Sequence, residues 1–129
     1  MASLTTRSLR ARAAGTAAHA GSRMEAIARN VANGDTPGYR TQDVPDFATV
    51  WQDSASDAMR ATRTGHIGAS SADSASQATT VRGHGSPNGN TVSLESEMVK
   101  AVETRQQHDM ALAIYRGTSE VIRASLGRR

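Results

Sequence analysis

Residues 13–39 of this 129-residue chain read AAGTAAHAGSRMEAIARNVANGDTPGY and combine a helical repeat with an abrupt end. In the repeat, small or apolar residues return after four and then three positions, which is typical of a helix that packs along one face against another helix. The repeat consists of Ala13, Ala17, Ala20, Met24, Ile27 and Val31. Asn33 and Gly34 then tolerate a positive φ, and Pro37 cannot continue a helix. The stretch therefore predicts an N-terminal helix over residues 1–33.

A tight reversal is predicted directly after this helix. The stretch Asp35-Thr36-Pro37-Gly38 contains proline followed directly by glycine, which suit the second and third positions of a type II turn. Tyr39 follows the turn, and we expect its side chain to be exposed. A rigid turn that presents an aromatic side chain suits a contact between subunits.

A second long helix is predicted over residues 93–129. Ser93 is a suitable N-cap, and Glu95 and Glu97 place negative charge in the first turn, where the helix dipole favours it. Steps of four residues then give a mostly apolar ladder: Leu94, Met98, Val102, the polar Gln106, Met110, Ile114, the polar Thr118, Ile122 and Leu126. Each step overshoots one turn by about 40°, so the ladder winds round the helix. Because one partner helix covers only part of such a surface, we expect several neighbours.

Residues 34–92, between the two helices, differ from them in composition. From residue 52 to residue 91, Ser, Ala, Thr, Gly, Asp and Arg dominate, and neither a helical nor an alternating pattern persists. We therefore predict a turn followed by a flexible middle segment, or a segment that becomes ordered only against a partner. The predicted fold is all-α, with two long terminal helices that pair as an antiparallel coiled-coil layer and an extended or partly disordered middle.

The composition limits what the chain can bury by itself. Hydrophobic residues make up 37% of the sequence, but 22 of them are alanine, and Leu, Ile, Val and Phe together number only 18. Such a chain is not expected to form a dense core without partners. The net charge is +3, and the arginines are spread along the sequence from Arg7 to Arg129. This distribution favours a solvated surface of mixed charge over a nucleic-acid-binding patch.

The sequence offers no chemistry typical of an enzyme. There is no cysteine, and the histidines at positions 19, 66, 84 and 108 are too far apart to form a metal-ligand pair, so each is expected to be solvated. We predict no catalytic residue, no cofactor, no metal and no small-molecule substrate. No apolar run is long enough to insert into a membrane, and residues 13–18 are too short and too weakly apolar for a signal peptide, so the N-terminal segment is expected to be retained.

Residues 23–47 resemble the N-terminal signature of the bacterial flagellar rod and hook family, in which a long helix ends in a motif of the type N-I-A-N-x-x-T-P-G-Y. Here the motif reads NVANGDTPGY and is followed by Asp46 and Phe47, a combination that is most similar to proximal rod members. The segments ATRTGHI at 61–67 and GNTVSLESEM at 89–98 also resemble this family. Ser93 and Ser96 depart from it, because members often carry Asp or Glu there.

The resemblance implies a non-enzymatic structural subunit of the proximal rod, which crosses the periplasm and transmits torque. It implies export without a cleaved signal peptide through the flagellar type III apparatus. The implied partners are copies of the chain, other rod proteins and the membrane-ring or export-gate adaptor. The implied assembly motif consists of Asn30, Asn33, Thr36, Pro37, Gly38, Tyr39, Asp46 and Phe47. The predicted helix seams consist of Ala20, Met24, Ile27 and Val31 in the first helix and Leu94, Met98, Val102, Met110, Ile114 and Ile122 in the second.

Two alternatives stay open at this point. The chain is either a different rod subunit of the same family or, in a different class, a small basic helical protein that binds nucleic acid. An electrophoretic mobility shift at physiological salt would separate the second alternative from a rod subunit.

Overall fold

The computed structural model describes residues 2–57, 78–81 and 85–127. Its elements are α1 (Ala2–Ala32), β1 (Gln42–Asp43), α2 (Phe47–Asp57), β2 (Thr79–Thr80) and α3 (Leu94–Leu126). The helices α1 and α3 pack against each other as an antiparallel hairpin. Arg10 near the start of α1 contacts Tyr115 late in α3, whereas Asn30 near the end of α1 contacts Glu97 at the start of α3. The predicted all-α fold with paired terminal helices is confirmed.

The face of α3 that packs on α1 consists of small and polar residues. Its buried residues, Glu97, Thr104 and Ala111, are spaced seven apart. Half-buried residues complete a coiled-coil spacing between and beyond them: Ala101, His108, Tyr115, Thr118 and Ile122. The matching buried positions of α1 are Ala13, Ala20 and Ile27, which are also seven apart. Alanines on both sides let the two backbones approach closely.

The apolar ladder predicted for α3 does not form this interface. Its apolar members Leu94, Met98, Val102, Met110, Ile114 and Leu126 are all exposed, and Ile122 alone among them is half-buried. In α1, Met24 and Val31 are likewise exposed, whereas Ala20 and Ile27 are buried. The contact between the helices thus contains mostly small and polar residues, together with Ile27, and most of the larger apolar side chains of α3 point away from it.

A second face of α1 is covered by α2 and by the residues just before it. A Cβ atom added at Gly15 would lie 3.4 Å from the Phe47 ring, so this ring packs directly against the backbone of α1. The Phe47 ring also lies 5.6 Å from those of His19 and Trp51. His19 donates a hydrogen bond from Nε2 to the Pro45 carbonyl at 2.7 Å. The prediction that His19 is solvated is therefore wrong, because α2 and its flanking loop cover it.

The chain between the long helices contains regular elements that the sequence analysis did not assign. Besides α2, it contains the antiparallel pair β1–β2, with Gln42 opposite Thr80 and Asp43 opposite Thr79. Residues 58–77 and 82–84 lie outside the described residues. Three predictions concern residues in these gaps: the family resemblance of segment 61–67, the solvated histidines at positions 66 and 84, and the flexibility of most of the segment 52–91.

After α1, the predicted type II turn is present at Pro37 and Gly38, but the positive φ expected at Asn33 and Gly34 is not. Gly38 has a φ of 74°, and the Tyr39 amide donates to the Thr36 carbonyl at 3.3 Å, as in a type II turn. Asn33 and Gly34, by contrast, do not adopt positive φ values. A Cβ at Gly34 would lie 3.1 Å from a Leu94 methyl group, so a larger residue there would require the Leu94 side chain to shift slightly. No helix within the described ranges is long and apolar enough to cross a bilayer.

Candidate assembly site at the turn end of the hairpin

We call the end of the hairpin where α1 stops and α3 starts the turn end, residues 30–46 and 85–103. The side chain of Asn30 lies at its centre and is fully buried. Its Nδ2 donates to the Gln42 carbonyl at 2.7 Å and to Glu97 Oε2 at 2.9 Å, and its Oδ1 accepts from the Gln42 amide at 2.9 Å. One side chain thus joins α1, β1 and α3, which fixes their relative register.

A cluster of charged groups surrounds Asn30. Glu97 is 1% exposed and accepts from both Asn30 and Lys100, the latter at 3.1 Å. Lys100 also lies 3.1 Å from Asp43, which in turn lies 3.4 Å from Arg23 Nε. The cluster contains two anions and two cations, so its formal charges balance. A buried carboxylate is tolerable here because it is both paired and hydrogen-bonded.

The acidic neighbours change the proton affinity of Lys100. Partial burial lowers the pKa of this ammonium group, but hydrogen bonds and charge interactions with Asp43 and Glu97 outweigh that effect. The net result is a pKa of Lys100 that is raised above its ordinary value of 10.5. The ammonium group is therefore held in its charged form inside the cluster.

Asn90 closes the turn from the other side and is 2% exposed. Its Nδ2 lies within 2.7–3.0 Å of three carbonyl oxygens that follow α1, those of Asn33, Gly34 and Thr36. Its Oδ1 accepts from the Val92 amide at 2.8 Å. Asn90 thus holds the backbone of the turn that follows α1 against the start of α3.

An extended segment connects these two centres. The Tyr39 carbonyl accepts from the Thr91 amide at 3.0 Å, and the Thr41 hydroxyl donates to the Thr91 carbonyl at 2.7 Å. On its other edge, the Thr41 carbonyl accepts from the Val81 amide at 2.9 Å. Residues 38–43 are therefore held on both edges, and the loop is closely tied to the start of α3.

The predicted assembly motif is brought together here, but its side chains mostly bind within the chain. Asn30, Asn33 and Thr36 take part in the network, and Pro37 and Gly38 form the turn. Asp46 lies 3.4 Å from Arg23, and its carbonyl starts α2; Phe47 packs on α1.

Tyr39 is half-buried rather than exposed, and its hydroxyl lies 3.5 Å from Asn30 Oδ1.

Several residues of the turn end were missed by sequence reasoning. Asp43, Asn90, Glu97 and Lys100 carry the network, and none was assigned to it beforehand. The feature of the sequence that could have indicated two of them is the segment GNTVSLESEM, which contains Asn90 and, seven residues later, Glu97. Glu97 was interpreted only as a charge that favours the helix dipole, because a partner in α1 is visible only once the hairpin register is known.

The hairpin also carries two exposed features outside this network. Apolar side chains of α3 face away from α1, with Met98 and Val102 each 70% exposed and Val121 62% exposed. At the opposite end of the hairpin, Arg10, Tyr115, Arg116 and Arg123 line a groove with a volume of about 580 Å³. Arg10 donates to the Tyr115 hydroxyl at 2.7 Å and lies over its ring. Within the described residues, no cluster of His, Cys, Asp and Glu is suited to hold a metal ion.

The chain is similar to one known rod protein over most of its length. The flagellar basal body rod protein FlgB of Agrobacterium fabrum (strain C58 / ATCC 33970) is 33% identical over 96 residues, which cover 68% of this chain and 69% of the relative. No protein-family model matches the chain. The paired terminal helices and the turn motif agree with this similarity. The chain belongs to the FlgB family of flagellar basal body rod proteins.

Proposed function

We propose that this chain is a structural, non-enzymatic subunit of the proximal rod of the bacterial flagellum, which crosses the periplasm and transmits torque during motility. The observation that carries the proposal is the exposed apolar surface of α3. Met98 is 70% and Ile114 is 45% exposed in the hairpin. Contiguous apolar surface on a soluble chain is characteristic of a contact with other proteins.

The positions of these side chains favour contacts on more than one side. Met98 and Ile114 are 16 residues apart, which places them about 160° apart around a straight helix. A single added neighbour would cover one of these positions and leave the other in water. An open helical assembly of subunits supplies neighbours on both sides of each copy.

The proposed partners are copies of this chain, other rod proteins and the membrane-ring or export-gate adaptor. The proposed route is export without a cleaved signal peptide through the flagellar type III apparatus. The rigid turn end supports this role, because a network that fixes the register of α1, β1 and α3 gives each subunit the same shape.

Complementation of a strain that lacks the gene tests the proposal. Met98→Asp and Ile114→Asp should each abolish swimming in soft agar, since a carboxylate in an apolar contact costs several kcal/mol, of the order of 3 or more. Gln106→Asp, at an exposed polar position of the same helix, is the matched control and should swim. Subunit levels in the periplasm should be equal for all three variants. Normal swimming by either Met98→Asp or Ile114→Asp would contradict the proposal.

A further inference from the structure

The two ends of the hairpin carry opposite charge. We call residues 7–12 and 115–127 the terminal end. It contains one acidic residue, Glu120, and the following arginines: Arg7, Arg10, Arg12, Arg116 and Arg123. Although the arginines are spread along the sequence, the antiparallel pairing brings those near both chain termini to one end of the hairpin. The structure pairs none of these arginines with a described carboxylate.

The turn end has the opposite balance. Its acidic residues are Asp35, Asp43, Asp46, Glu95, Glu97 and Glu103, and its own basic residues are Arg40 and Lys100. Arg23 reaches in from α1 to pair with Asp43 and Asp46. Six carboxylates therefore face three cations. Glu95 and Asp35 are exposed and are not part of the buried cluster.

These charges are too far apart to neutralise each other within one molecule. The 33-residue helix α3 has a length of about 50 Å at 1.5 Å per residue. Charges in water at physiological salt are screened over about 8 Å. The basic end and the acidic end of one chain are therefore electrostatically independent, whereas the ends of two different copies can come into contact.

Both ends also present apolar side chains beside their charges. The groove at the terminal end contains Ile122 and Leu126 next to its arginines, and Leu126 is 82% exposed. The turn end exposes Leu94 and Met98, which lie next to Glu95 and three positions after it in α3. A mixed apolar and acidic surface matches this groove better than a phosphate backbone does, since the groove also contains Glu120 and only one aromatic side chain.

We propose that the groove at the terminal end receives the turn end of a second copy of this chain, so that subunits join head to tail along the hairpin axis. This inference rests on the proposed function, because it describes one direction of assembly of the same subunit. The arginines set the orientation by attracting Glu95 and Asp35, and Leu126 and Leu94 remove apolar surface from water at the contact.

A charge exchange between the two ends tests the inference in the purified full chain. Sedimentation velocity at 50 mM salt should detect association of the native chain, and 500 mM salt should reverse it, as expected for contacts between exposed charges. Arg116→Glu and Glu95→Arg should each weaken association by about tenfold or more, because each places like charges opposite one another. The double variant Arg116→Glu/Glu95→Arg keeps the native net charge of +3 and should recover association to within about threefold.

Two control variants separate the proposed contact from general charge effects. Arg105→Glu and Asp109→Arg change the charge by the same amounts at exposed positions in the middle of α3, and they should leave association within about twofold of native. Far-UV circular dichroism verifies that every variant is helical. The inference is overturned if the native chain does not associate, if the double variant does not recover, or if the control variants weaken association equally.

The remaining outcomes distinguish this inference from its alternatives. The groove would be a phosphate site, and the inference wrong, under three joint results. A DNA or RNA oligonucleotide binds the native chain at physiological salt, Arg116→Glu abolishes this binding, and the native chain does not self-associate. If Met98→Asp and Ile114→Asp block swimming but the charge exchange does not recover association, the rod function stands and the head-to-tail contact falls. Recovery by the double variant, with normal swimming of both aspartate variants, would support the contact and contradict the rod function.

Discussion

The turn end and the shaft of the hairpin, the latter being residues 5–27 of α1 with residues 104–122 of α3, are held together by different forces. At the turn end, buried side chains such as Asn30, Asn90 and Glu97 are fixed by hydrogen bonds in defined directions. In the shaft, mostly small residues such as Ala13, Ala20 and Ala111 are buried in the contact, and larger apolar side chains such as Met110 and Ile114 remain exposed. The difference indicates a division between the two regions: directional hydrogen bonds specify the shape of the subunit at the turn end, whereas close packing of small residues holds the shaft together.

The largest effect is expected from a charge placed in the seam of the shaft. Ala20 is 1% exposed, so Ala20→Asp buries a carboxylate that has no partner designed for it. We expect a loss of about 4 kcal/mol in the free energy of unfolding, enough to remove most of the helical signal in circular dichroism. Ala14→Asp is the matched control, because Ala14 is exposed on the same helix. Equal helicity of the two variants would show that the seam does not hold the hairpin.

A smaller loss is expected when the centre of the turn end is changed. Asn30→Leu preserves most of the side-chain volume but removes the hydrogen bonds to Gln42 and Glu97. Leaving these buried groups without partners should lower the free energy of unfolding by about 3 kcal/mol, as measured by urea titration. Asn33→Leu is the control, since Asn33 is only half-buried and its side chain binds within its own turn. A larger loss for Asn33→Leu would contradict the central role of Asn30.

How much of this division the sequence predicts differs between the two regions. The helix repeat and the turn at Pro37 and Gly38 were sufficient to predict the antiparallel hairpin, because helix period and turn chemistry are local properties. The residues of α3 that are buried against α1, Glu97, Thr104 and Ala111, were not identified from the sequence, because the apolar ladder drew attention to the larger side chains. That ladder stays a prediction for contacts with neighbouring subunits. Glu97 and Lys100 were not linked to Asn30, because they lie 67 and 70 positions away in the sequence and only the register of the hairpin brings them together.

His19 illustrates why an unassigned element changes the prediction for its neighbours. Its burial depends on the Pro45 carbonyl and on Phe47 at the start of α2. No helix was predicted over residues 47–57, so nothing was expected to cover this face of α1. A short amphipathic helix beside a long one leaves only a weak pattern in the sequence, although Phe47 and Trp51 stand four positions apart.

A modest gain in stability is expected at one position of the seam. Thr104 is 0% exposed, and its hydroxyl has no hydrogen-bond partner among the described atoms. Thr104→Val has nearly the same shape and removes this polar group, so the free energy of unfolding should rise by about 1 kcal/mol in urea titration. Thr118→Val is the control, because the Thr118 hydroxyl donates to the Ile114 carbonyl at 2.9 Å. No gain for Thr104→Val would indicate that its hydroxyl is solvated or bonded in solution.

The smallest effect is expected from the titration of Lys100 at the turn end. Its pKa in the folded chain is raised above 10.5 by hydrogen bonds and charge interactions with Asp43 and Glu97, which outweigh the opposing effect of burial. The folded state therefore binds the proton more tightly than the unfolded state does. The resulting stabilisation is fully present below pH 10.5 and is lost as the pH rises through the higher folded value.

Comparison with Lys100→Arg isolates this contribution. Arginine stays charged throughout the alkaline range, so the variant keeps its charge interactions where the native chain loses them. The free energy of unfolding of the native chain should fall relative to that of Lys100→Arg above pH 10.5, while their difference stays constant from pH 7 to pH 9. Both tyrosines and all native arginines are common to the two proteins and cancel in the comparison. The effect is small because the side chain of Lys100 is 27% exposed and water screens its charge. If the free energies of unfolding of the two proteins change in parallel across the alkaline range, the folded cluster does not bind the Lys100 proton preferentially. The hydrogen bonds of Asn30 and Asn90 would then hold the turn end without a contribution from the Lys100 charge.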